Sequence, residues 1–197
     1  MHERQEGKDA AAKNDETKLL APDEFVKWVK DEDHGLKKEK KIGDIVFSAQ
    51  YKPVEYVICM EERSTHISDS VVKRKKSELG DMLYLDFKIA LEKGEGELLK
   101  YKLSSMAEYG DRVNYFSFKM QNDIFLVDGN DTISCALFHF ERAYDAVPYS
   151  TFVLGFPNNN KAGNKTLIYH DNIFKKGIIK LEFENNNLKA VPKLKTE

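Results

Sequence analysis

The sequence predicts an α+β fold over residues 19–197: a single domain with an antiparallel sheet, its helices coming mainly from the N-terminal half. Three observations lead there. Helix-period segments fall mostly in the first half and strand-period segments mostly in the second, which argues against alternating βαβ units. Two apolar runs, Ile124-Phe125-Leu126-Val127 and Ile133–Phe140, flank Asp128-Gly129-Asn130-Asp131, a turn rich in residues that tolerate positive φ, and so predict a β-hairpin. Finally, 197 residues with 41% hydrophobic and 11% aromatic side chains can fill one core, while 32% charged residues of both signs exclude a chain disordered throughout.

The elements follow in order. Residues 1–18 contain no side chain larger and more apolar than Ala apart from Met1, so they are expected to form a polar tail or tether. Pro22–Asp33 predicts a helix, with Pro at the first position, Asp23 and Glu24 at the positive end and His34-Gly35 as the stop. Phe25, Trp28 and Val29 share its inner face, with Trp28 expected to anchor it on the sheet. Leu36–Ile42 and Ile45–Tyr51 read as a hairpin around Gly43-Asp44, with Ile45, Phe47, Ala49 and Tyr51 on one face and Ser48 and Gln50 on the other. Pro53 opens a short buried helix, although Tyr56-Val57-Ile58 suits a strand equally well. Ser68–Leu79 is a basic amphipathic helix between a Ser68 cap and Gly80.

Met82–Leu91 reads as a central strand, and Ser105–Phe118 as a helix whose aromatic residues keep strand as a competitor. After the hairpin, strands are expected at Ser150–Phe156, Thr166–His170 and Gly177–Glu184. The Asn185-Asn186-Asn187 turn and a Leu188–Val191 return close the chain.

Charge and cysteine usage narrow the function classes. The net charge is -2, but residues 1–41 hold 10 basic and 11 acidic side chains, 42–160 hold 13 and 18, and 161–197 hold 8 and 4. Nucleic-acid binders carry a dense basic face. Here only Lys73-Arg74-Lys75-Lys76 and Lys37-Lys38 with Lys40-Lys41 form basic runs, which read as solvated faces of a helix and a strand. No run approaches the roughly 20 apolar residues of a membrane-spanning helix. Cys59 and Cys135 sit in apolar runs and form no Cys-x-x-Cys pair, so their pairing is left open.

Candidate chemistry is sparse. His139 and Glu141, two apart on a strand, share a face and would bind a metal if His170 supplied a third ligand. The same residues also read as a core-edge histidine and a strand-end ion pair. Gly155–Thr166 lacks the contiguous Gly-Lys-Ser/Thr of a phosphate-binding loop, and no Gly-x-Ser-x-Gly elbow is present. Tyr144 and Tyr149, on either side of Val147-Pro148, are the aromatic residues outside the strand alternation and form a candidate binding surface. No cofactor is expected.

Gly43–Pro53 with Glu55-Tyr56, the upstream Pro22–Val29, and the later Tyr115-Phe116-Ser117-Phe118 and Phe138–Arg142 together resemble a family of Bacteroidota proteins labelled lipoproteins. That family has no assigned reaction. The resemblance implies a cell-envelope location, periplasmic or at the outer membrane, with a lipid anchor upstream of the tail. The sequence thus favours a non-enzymatic envelope protein that binds or assembles with an unidentified partner, another protein being one candidate. Two alternatives remain: a cytosolic toxin-neutralising protein that uses the acidic middle segment, and a metal-dependent enzyme built on His139, Glu141 and His170.

Overall fold

The computed structural model describes residues 18–94, 96–142, 147–159 and 162–197. The polar tail expected over residues 1–18 lies outside them except for Lys18, as does Tyr144. The elements are β1 (Leu19–Leu20), α1 (Pro22–Lys30), β2 (Lys37–Ile42), β3 (Ile45–Lys52), α2 (Val54–Glu62), α3 (Asp69–Leu79) and β4 (Met82–Leu91). Then come α4 (Met106–Asn114), β5 (Ile124–Asp128), β6 (Asp131–Ser134), β7 (Leu137–Glu141), β8 (Tyr149–Pro157), β9 (Lys165–Asp171), β10 (Gly177–Phe183), α5 (Asn185–Lys189) and β11 (Lys193–Leu194). The class is α+β, with antiparallel pairing throughout the two large sheets.

Those sheets have the orders β2-β3-β4-β8-β7 and β10-β9-β5-β6. They face each other across a shared core in which Phe47 and Phe87 of the first meet Tyr169 of the second, with ring centroids 6.3 and 5.4 Å apart. Phe152 stacks on Phe138 and Phe140 and lies tilted against Phe87, and Phe116 closes the same cluster edge-on at 5.1 Å. Burying each such ring contributes about 1.5–3 kcal/mol.

The strand expected over Ile133–Phe140 is two strands, and the expected antiparallel pairing is divided between two sheets. After β6 the chain bends at Cys135-Ala136, where the Ala136 N–H donates to the Gly155 carbonyl at 2.9 Å, and β7 joins the other sheet. A twisted sheet this wide closes on itself or splits, and a bent strand at the corner is how the chain changes layers. The exposed edge β2 carries Lys37, Lys38, Lys40 and Lys41, and a lysine-rich edge resists pairing with another chain.

A second cluster joins Phe25 and Val29 of α1, Tyr56, Ile58 and Cys59 of α2, and Val72 of α3. Leu36, Ile67 and the Leu20 and Leu194 pair complete it. The Tyr56-Val57-Ile58 segment is helical because Pro53 opens the turn and this apolar neighbourhood holds Tyr56 and Ile58 buried. Trp28 is not the helix anchor. Phe25 and Val29 are fully buried, whereas Trp28 stacks on His34 with centroids 3.9 Å apart. The turn to β2 needs Gly35, whose φ is 68°.

Ser68 and Ser105 cap α3 and α4, accepting from the Val71 and Glu108 N–H groups at 3.4 and 3.1 Å. After α4 the helix widens into a π-helical turn over Tyr115–Lys119. Leu188, expected on a return strand, lies in α5; the return is β11, which pairs in parallel with β1.

Candidate functional site

On β7, Phe138 and Phe140 pack inward on Phe152, so His139 and Glu141 share the outward face of the five-stranded sheet. His170 stands on the outward face of the other sheet, its ring 5.9 Å from that of Phe125. The outward faces of packed sheets look away from each other. The structure thus brings His139 and Glu141 together and keeps His170 apart from them. Among the described residues no three His, Cys, Asp or Glu side chains gather as metal ligands.

Both cysteines are free and buried, in different cores, and burial pushes each thiol up to about 11. Gly155 is a packing glycine on β8: a Cβ there would lie 2.9 Å from the Leu137 Cβ and 3.0 Å from the Met82 Cε. Three of the four basic side chains in the α3 run are matched by acids. Arg74 pairs with Glu78 and Lys75 with Glu61, both at 2.8 Å, and Lys76 pairs with Glu55 at 2.5 Å. The Glu61 hydrogen bond raises the Lys75 pKa. Such exposed pairs are worth under about 1 kcal/mol each, but they offset most of the positive charge of the run.

Two of the recesses among the described residues reach about 600 Å³. The first, about 630 Å³, lies between α2, α3 and the C-terminal segment and includes Tyr51, Val54, Val72, Leu83 and Leu194 in its lining. Burial, and then the nearby Glu55 charge, push the Tyr51 hydroxyl up to about 12. Of its acidic side chains Glu55, Asp69 and Asp81, the first two are already engaged, by Lys76 and Thr196.

The second recess, about 600 Å³, lies on the outward face of the five-stranded sheet. Ser48 on β3, Lys88 on β4, Thr151 on β8 and Glu141 on β7 line it and stand directly opposite one another strand by strand. Lys30 at the end of α1 forms one wall; Val147 and Tyr149 form the other. Gln50 fixes the first wall to the floor, its Nε2 donating to the Val29 carbonyl at 3.0 Å and the Tyr51 carbonyl at 3.1 Å. The Lys88 ammonium sits 4.1 Å above the centre of the Tyr149 ring. Two further charges in the lining are already matched, Asp86 by Lys52 and Lys37 by Glu32. The side chains of Lys30, Ser48, Glu141 and Thr151 have no hydrogen-bond or ion-pair partner among the described residues.

Tyr149 is the candidate binding residue from the sequence that lines this cleft. Ser48, Lys88 and Thr151 carried one signal, their outward place in the strand alternation, but nothing in the chain order showed which strands stand side by side. Comparison of the chain with protein-family models, with curated proteins and with solved structures gives no match.

Proposed function

We propose that this domain is a non-catalytic binding module of the cell envelope, held there through residues upstream of Lys18, and that the cleft on the outward sheet face holds its ligand. The observation that carries this reading is the set Lys30, Ser48, Glu141 and Thr151. Four polar side chains without partners converge on a walled recess whose volume falls in the range of ligand sites. The larger recess supports the reading less, because two of its three acidic side chains, Glu55 and Asp69, are held by Lys76 and Thr196. Envelope placement rests on the family resemblance, and the exposed Lys18 beside β11 is compatible with a tether leaving there.

Neutralisation of a basic partner is less well supported. Many carboxylates of the acidic middle segment are spent internally: Asp44 on Lys102 and Lys176, Glu92 on Lys41, Asp86 on Lys52 and Glu108 on Arg112.

Thermal-shift screening of the whole chain against sugars, sugar acids, amino acids and short peptides tests the cleft. Compounds that raise the melting temperature should lose that effect in Thr151→Trp, whose indole fills the floor. Shifts that survive Thr151→Trp would place binding elsewhere.

A further inference from the structure

We infer that the ligand is a short acidic oligosaccharide lying across the strands, an assignment that rests on the cleft being the binding site. Ser48, Lys88, Thr151 and Glu141 occupy facing positions on β3, β4, β8 and β7, so the row presents hydroxyl, ammonium, hydroxyl and carboxylate in that order. Neighbouring strands are about 4.8 Å apart, a spacing close to the length of one sugar ring in a linear chain. Each successive ring therefore meets a new polar side chain. An extended peptide laid the same way advances about 3.3 Å per residue and repeats the same side only every second residue, out of step with the row.

Charge selects the acidic members of that class. Among the described residues of the lining, Lys88 at the centre and Lys30 on the wall are two unmatched cations against the one unmatched carboxylate, Glu141 at the flank, while Asp86 and Lys37 have partners of their own. A sugar carboxylate meets Lys88, and the ring hydroxyls meet Ser48, Thr151 and Glu141 at the flanks. Lying over Tyr149, Lys88 is placed without spending its charge on a carboxylate.

Calorimetric titration with galacturonate and mannuronate trimers, a neutral galactose trimer and triglutamate tests the assignment. At least one uronate trimer should bind, with the neutral trimer and triglutamate weaker by about tenfold or more. Lys88→Met should weaken the uronate by a similar factor at unchanged melting temperature. Failure of both uronates, equal binding of neutral and acidic trimers, or tighter binding of triglutamate each overturns the saccharide assignment. Uronate binding that survives Thr151→Trp would instead overturn the cleft as the site while leaving the ligand class standing.

Discussion

Arg112→Met should be the most damaging single change outside the aromatic core. The Arg112 side chain is buried, yet its Nη1 donates to the carbonyls of Leu99 at 3.0 Å and Tyr101 at 2.6 Å, and its Nη2 to the Glu108 carboxylate at 2.6 Å. Its guanidinium also lies 5.6 Å from the centre of the Phe174 ring. Methionine keeps most of the aliphatic bulk and removes every donor. Two carbonyls left without partners cost about 1–3 kcal/mol each, and the lost ring contact adds about 0.5–1 kcal/mol. The expected loss is therefore about 4 kcal/mol, a large part of the roughly 5–15 kcal/mol that holds a domain folded. Urea unfolding followed by Trp28 fluorescence reads it as a midpoint lowered by about 2 M at unchanged slope. Arg112→Lys should fall in between, since one ammonium cannot span three acceptors.

The same measurement has an acid arm. The hydroxyl and N–H of Ser104, and then Arg112, hold the Glu108 carboxyl down at about 2. A carboxyl depressed on folding stabilises above its unfolded value near 4.5 and loses that contribution as pH falls toward 2. Part of this slope should persist in Arg112→Met, because the Ser104 donors remain. A loss below about 1 kcal/mol at neutral pH, with an intact slope, would show that water replaces the guanidinium at both carbonyls and would refute the reasoning.

Three further outcomes follow from the packing. Phe152→Ala removes a ring in contact with Phe87, Phe116, Phe138 and Phe140, and should cost about 3–5 kcal/mol in the same unfolding assay. Gly155→Ala drives a methyl against Leu137 and Met82 and should cost about 1–3 kcal/mol, whereas Gly96→Ala, which meets no neighbour among the described residues, should lose stability through its positive φ. Both thiols should resist a disulfide reagent at pH 8 until denaturant is added, since burial holds each near 11; rapid labelling of Cys135 in the folded protein would contradict its place in the core.

The local half of the fold was legible because its signals are local. Alternation at Ile45, Phe47 and Ala49 marks the inner face of β3, and Ser68 and Gly80 bound α3 where cap chemistry puts them. Periodicity cannot show a strand changing sheets. The inward parity shifts from Ile133 and Cys135 to Phe138 and Phe140, but where the chain goes after the bend at Cys135-Ala136 depends on β8 being next door, a neighbour contributed from later in the chain. The β1 and β11 pair was invisible for a related reason: two residues carry no period, and the pairing joins opposite ends of the chain. The expected metal trio shows the same limit. Two-residue spacing correctly put His139 and Glu141 on one face, while the layer that receives His170 is decided by long-range pairing with β5.

A solvated sheet face is ordinarily polar, so polarity alone gives the cleft no meaning. What separates it from the rest of its own sheet is how the charges are used. Outside its lining, Lys38 and Lys41 find carboxylates in Glu184 and Glu92. Lys88, in the middle of the sheet, faces Ser48 and Thr151 across its two neighbours and rests on an aromatic ring instead. Cross-strand neighbours of opposite charge stabilise a sheet by up to about 1 kcal/mol, and a row of hydroxyl, ammonium, hydroxyl and carboxylate leaves Lys88 without such a neighbour on either side. Gln50 adds to the contrast by tying the last turn of α1 to the floor and so keeping the Lys30 wall upright. A ligand seated in the row would therefore touch elements belonging to both hydrophobic clusters, and its binding should stiffen the helical layer against the sheets.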